Sequence, residues 1–174
     1  MTGPQKLLAC ISSVVLVITG ACAPLAQQLR ASPDLRIDAG SLKGVRSLVI
    51  DEAALAGLHR GVLRTADREY EGTPLHAVIG LSGVWDRAGG CGVGLRDYVV
   101  VEGSGGFRAL FSLTDLDPRM SEPAASGREI MLANRCNGAP LREGEGPWRL
   151  IVPDDLKRTR WVSGVTAIWL RTDR

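Results

Sequence analysis

The sequence predicts a β-rich α+β domain, a mixed sheet with short helices set into it, and three observations carry that prediction. The first is a hairpin at Tyr98–Phe111. Val99 and Val101 share one face of its first run, and Phe107, Ala109 and Phe111 share one face of the second, as the two-residue period of a strand requires. Gly103, Gly105 and Gly106 are expected to supply the positive φ values of the reversal. The second is a series of short apolar runs, Ser47–Ile50, Glu129–Ala133, Trp148–Val152 and Val165–Leu170, separated by turn residues. The third is that helical signals are confined to two short stretches, Glu52–Leu58 and Thr73–Leu81.

Taken in order, Leu35–Asp38 reads as an edge strand, Gly40–Gly44 as a turn and Ser47–Ile50 as a strand. Asp51 can cap the helix Glu52–Leu58, which turns Leu55 and Leu58 inward. Gly61–Ala66 and Glu69–Glu71 are two strands around an Asp67-Arg68 reversal. Thr73 then caps a helix with Pro74 at its first position and Leu75, Val78 and Ile79 as its apolar stripe. Ser82–Gly94 is a glycine-rich loop. After the hairpin come a Thr114–Asp117 turn, a polar exposed Pro118–Gly127, the Glu129–Ala133 strand and an Asn134–Pro140 turn. Trp148–Val152, stopped by Pro153, then Arg160–Val162 and Val165–Leu170 are the last strands.

The first residues read as an export signal. Lys6 precedes an uncharged run, Leu7–Gln28, with an apolar centre at Val14–Ile18 and small residues leading to Cys22. Thr19-Gly20-Ala21-Cys22 resembles a bacterial lipobox, with Thr19 where that motif usually has Leu. Two other outcomes stay open. Cleavage after Ala23 or Ala26 would release the protein, and the run reaches the roughly 18 residues an uncleaved anchor needs. The lipobox reading gives a signal peptide at 1–22, a Pro-containing tether at 23–34 and a domain at 35–174, held at a membrane in the periplasm or cell envelope through lipid on Cys22.

Without residues 1–21 the chain keeps 20 basic and 19 acidic side chains. That balance gives no electrostatic case for a nucleic-acid partner. Cys91 and Cys136 are the cysteines left for the domain. In an oxidising compartment they could pair, closing a loop worth roughly 4 kcal/mol in the chain-entropy model, or remain free thiols.

Candidate chemistry is sparse. Gly103-Ser104-Gly105-Gly106 leads into a strand, whereas a phosphate loop must lead into a helix, so it is a turn. His59 and His76 have no second ligand at metal spacing, and neither cysteine has a near neighbour cysteine, so no metal site is expected. No Gly-x-Ser-x-Gly elbow occurs to support a serine triad. Arg149, Lys157, Arg158 and Arg160 cluster with Asp154 and Asp155. Such a run is usually a solvated turn with local ion pairs, but Arg158 and Arg160 also suit a phosphate or carboxylate.

Four ordered segments resemble the molybdopterin-binding domain of the sulfite oxidase-like family. They are Tyr70-Glu71-Gly72-Thr73-Pro74-Leu75, a Y-x-G-x-P-L motif; Asp97–Phe111; Ile130–Leu141; and Gly146–Leu170, which contains Pro147-Trp148-Arg149-Leu150-Ile151-Val152-Pro153 and Arg160-Trp161-Val162. The resemblance spans roughly residues 35–172 and implies a mixed α+β fold that, in the enzymes, holds a molybdenum cofactor through a pterin dithiolene and one protein cysteine. That cysteine precedes the Y-x-G-x-P-L motif, and the matching stretch, His59–Tyr70, contains none. The family's pterin-phosphate arginines would fall to Arg158 and Arg160. Two functions follow. One is a binding or accessory domain that keeps the fold without the metal, holding molybdopterin, another small anion, a protein partner or no cofactor at all. The other is an active oxidoreductase with Cys91 as a displaced molybdenum ligand.

Overall fold

Two sheets share the strands, and short helices fill the gaps between them. The computed structural model describes residues 35–40, 42, 45–86, 94–120 and 129–173, all within the compact unit Ala31–Arg174. In chain order the elements begin with β1 (Leu35–Asp38), β2 (Leu48–Ile50), α1 (Glu52–Ala56), β3 (Gly61–Arg64) and β4 (Glu69–Pro74). Then come α2 (Leu75–Gly80), β5 (Asp97–Gly103), β6 (Arg108–Ser112) and α3 (Leu113–Leu116). The last are β7 (Met131–Cys136), β8 (Ala139–Pro140), β9 (Arg149–Ile151) and β10 (Val165–Thr172). One sheet has the order β2-β1-β10-β5-β6; the other runs β3-β4-β7-β8, with β9 also paired to β7. This is the strand-rich α+β class that the sequence predicts.

The hairpin forms as expected, β5 and β6 pairing Val99 with Phe111 and Val101 with Ala109, all four buried. Two details differ. Phe107 precedes β6 and is 49 % exposed, so it belongs to the turn and not to the core face. Gly105 and Gly106 have positive φ, but Gly103 is extended at φ −111°; its role is close approach, since a Cβ there would stand 2.4 Å from the Ser163 carbonyl oxygen.

Other boundaries move for reasons of pairing. β1 is interior, parallel to β10 with Arg36 opposite Ala167 and antiparallel to β2; an edge was expected because its parallel partner is the last strand of the chain. The proposed Thr73 cap is instead part of β4, where Thr73 and Pro74 pair with Leu132 and Met131. α2 therefore starts at Leu75 without a side-chain cap. Its buried Leu75, Val78 and Ile79, at about 1.5–3 kcal/mol each, outweigh what a one-turn helix lacks in water.

Asn134–Pro140 is not one long turn. β7 continues to Cys136, and Asn137 and Gly138, both at positive φ, reverse the chain in two residues onto β8, as an Asn-Gly pair favours. Thr114–Asp117 is largely the short helix α3, capped by Ser112 Oγ. Arg160–Val162 makes only the isolated bridge of Val162 to Leu150. The Asp51 cap of α1 forms as read, its carboxylate accepting from Ala54 N at 2.7 Å. A single apolar cluster draws on both sheets and all three helices.

Candidate functional site

The reversal between β3 and β4 is tied by Thr65. Its amide donates to the Arg68 carbonyl at 2.8 Å, and its hydroxyl accepts from Arg68 N at 3.1 Å and donates to the Asp67 carboxylate at 3.0 Å. Asp67 is thereby aimed across at the segment that follows β9, where it accepts from Arg158 Nη2 at 2.7 Å. Those bonds, Thr65 first and Arg158 next, hold its carboxyl below the ordinary range.

β3 is the end strand of its sheet. Between it and the Pro153–Trp161 segment lies a groove of about 680 Å³, lined by Val62–Ala66 on one side and Pro153, Asp155, Leu156, Arg158 and Trp161 on the other. Trp161 is fixed there by its indole N–H, which donates to the Val152 carbonyl at 2.7 Å, and by the edge of Tyr70, 5.8 Å away at 83°. Two guanidiniums lie over its ring, Arg158 at 4.8 Å and Arg149 at 5.6 Å.

Behind the indole the polar groups form a chain. Arg149 bonds Glu145, and Glu145 Oε1 also accepts from Arg68 at 3.3 Å. Burial pushes the Glu145 carboxyl up, but Arg149 and then Arg68 outweigh it and hold it below its ordinary value. Around Trp161, Arg68 and Arg149 share Glu145, and Arg158 pairs with Asp67. Among the described residues Tyr70 Oη, Glu145 Oε2 and Arg149 Nε are buried here without a hydrogen-bond partner.

Of the arginines singled out by sequence, Arg158 lines this groove and Arg160 does not. Arg160 Nε donates to Asp155 at 3.0 Å, and its guanidinium lies 5.2 Å over Phe111, which ties the loop to β6. Its bond with Asp155 holds that carboxyl below the ordinary range. Cys136 is a free, half-buried thiol on β7, opposite Tyr70 in register; it is not part of the groove lining. Cys91 and Cys22 lie outside the described residues.

Sequence reasoning missed Asp67, Thr65 and Glu145 as members of the site. Asp67 and Arg158 are 91 positions apart, and nothing local links them. The signal that was present lay in the two aromatic-bearing segments, since Tyr70 of Y-x-G-x-P-L and Trp161 of Arg-Trp-Val meet here. Compared with protein-family models and with curated proteins, the chain matches none.

Proposed function

We propose that the chain is an exported, lipid-anchored binding or accessory domain, similar to the sulfite oxidase-type molybdopterin-binding domain, whose groove takes a flat, anion-bearing small molecule. The observation that carries this reading is Arg158 lying 4.8 Å over Trp161 at the groove wall. An arginine–indole stack offers a planar face to a heterocycle and forked donors to its phosphate or carboxylate. The ion pair that holds Arg158 is with Asp67, both about half exposed, and such pairs are worth only about 0–1 kcal/mol, so a ligand anion can take the place of Asp67. Tyr70 and Trp161, from the first and last of the family-like segments, meet at this one wall.

Among the described residues the groove presents no thiolate for a molybdenum centre, and Cys91, the displaced-ligand candidate, lies outside them. No group of three or more His, Cys, Asp or Glu side chains among the described residues could hold a metal ion through the protein alone. A pterin-like ring with an anionic tail needs only the stack and the guanidinium.

The test is a titration of the full chain with a phosphorylated pterin, read by tryptophan fluorescence. Saturable binding is expected, weakened about tenfold or more in Arg158→Ala, the loss of one charged hydrogen bond. Arg158 is exposed, so that variant keeps the fold. Equal affinity in wild type and Arg158→Ala, or no saturable binding, contradicts the reading.

A further inference from the structure

The outer face of the β2-β1-β10-β5-β6 sheet carries a second, smaller cleft, of about 320 Å³, lined by Tyr98, Val100, Arg108, Trp169 and Arg171. Its floor follows from strand register, because Trp169 lies opposite Val100 and Arg171 opposite Tyr98. Alternation puts these four on the face away from the core residues Val99, Val101, Ile168 and Leu170.

Both arginines are organised round the one indole. Glu102 Oε2 accepts from Trp169 Nε1 at 3.1 Å and from Arg108 Nε at 2.9 Å. On the other side, the Arg171 guanidinium lies 4.9 Å over the Trp169 ring. Its Nη1 donates to Asp38 Oδ1 at 3.1 Å and to the Leu170 carbonyl at 2.8 Å. Gly40 leaves the space for it, since a Cβ at that position would stand 2.6 Å from Arg171 Nη1. Arg171 is thus held in place by backbone and ring, with its Nε and Nη2 outside these bonds.

We propose that this cleft binds an organic phosphate, Arg108 and Arg171 taking its charged oxygens and Trp169, Val100 and Tyr98 its carbon portion. Fixed guanidiniums match phosphate oxygens in pairs, and an apolar floor with a few placed polar groups is the usual make-up of a small-molecule site. The site is separate from the Trp161 groove and shares no lining residue with it.

The probe is phenyl phosphate, titrated calorimetrically into the full chain, with inorganic phosphate and phosphatidylglycerol vesicles as further arms. Saturable binding of phenyl phosphate is expected, and the component that survives in Arg158→Ala, which disables the Trp161 groove, is expected to weaken at least about tenfold when Arg108→Ala or Arg171→Ala is added. Gly40→Ala, which keeps every charge but displaces Arg171, is expected to weaken it too. Competition by the vesicles identifies the ligand as a lipid headgroup; without competition it is a soluble phosphate. Failure of phenyl phosphate to bind, or equal binding in wild type and both arginine variants, overturns the proposal. Inorganic phosphate binding as tightly as phenyl phosphate overturns the role given to the apolar floor.

Discussion

Tyr70 carries its hydroxyl beside the Arg68 guanidinium without a bond of hydrogen-bond geometry to it. The ring is fully buried, and its edge contact with Trp161 makes it part of the groove wall. The Arg68 guanidinium beside it is held above its ordinary range, first by that hydroxyl and then by Glu145, yet Tyr70 Oη forms no bond of hydrogen-bond geometry. A buried hydroxyl without a partner costs about 1–3 kcal/mol in desolvation, and removing it recovers that cost. Tyr70→Phe is therefore expected to leave urea-unfolding stability unchanged or raise it by about 1 kcal/mol. A loss of more than about 1.5 kcal/mol would mean that the hydroxyl is bonded. At this scale the site was half legible. Arg158 stands out in the sequence through its place in the Arg149, Lys157, Arg158 and Arg160 cluster and through the family resemblance. Tyr70 and Trp161 read only as family positions, because a buried aromatic is usually core. Glu145 was missed because its near partner Arg149 reads as an ordinary local ion pair and its second partner, Arg68, lies 77 positions away.

At the scale of elements, β4 and β7 hold the groove wall in place, and their contact is unusually close. The register shifts between Glu71 and Gly72, and a Cβ on Gly72 would stand 2.2 Å from the Leu132 carbonyl oxygen and 2.6 Å from Ala133 Cα. Both obstacles are backbone, so neither can rotate away. Gly72→Ala is expected to destabilise by about 3 kcal/mol or more, at the upper end of what overpacking costs, and to lower the thermal midpoint accordingly. A midpoint within a degree or two of wild type would show that the strands separate easily. The same pair explains how the sequence misled. The Thr-Pro pair at 73–74 is a sound helix-start signal, and it lost to a ladder in which β7, nearly sixty residues on, pairs with both residues. The pairing of the hairpin strands and the Asp51 cap were read correctly because their determinants are local. β1 was misplaced because its neighbour β10 ends the chain.

For the whole molecule, the strand-rich architecture and the function stand on different footings. Alternation and turn chemistry were enough for the class, but no local pattern shows what the groove holds, because its walls come from two distant segments. Among the described residues no helix is long and apolar enough to cross a membrane, and the proposed attachment rests on Thr19–Cys22. Cys22→Ser is expected to move the protein from the membrane fraction to the soluble one and to abolish lipid-dependent processing; unchanged fractionation and processing would contradict a lipid on that thiol. The central claim is that this domain binds without a catalytic metal. It is tested most directly by elemental analysis of protein purified from a molybdenum-replete host, alongside Cys91→Ser. The account predicts molybdenum far below one atom per chain in both. Stoichiometric molybdenum in the wild type, lost in Cys91→Ser, would contradict it and establish the displaced-ligand oxidoreductase instead.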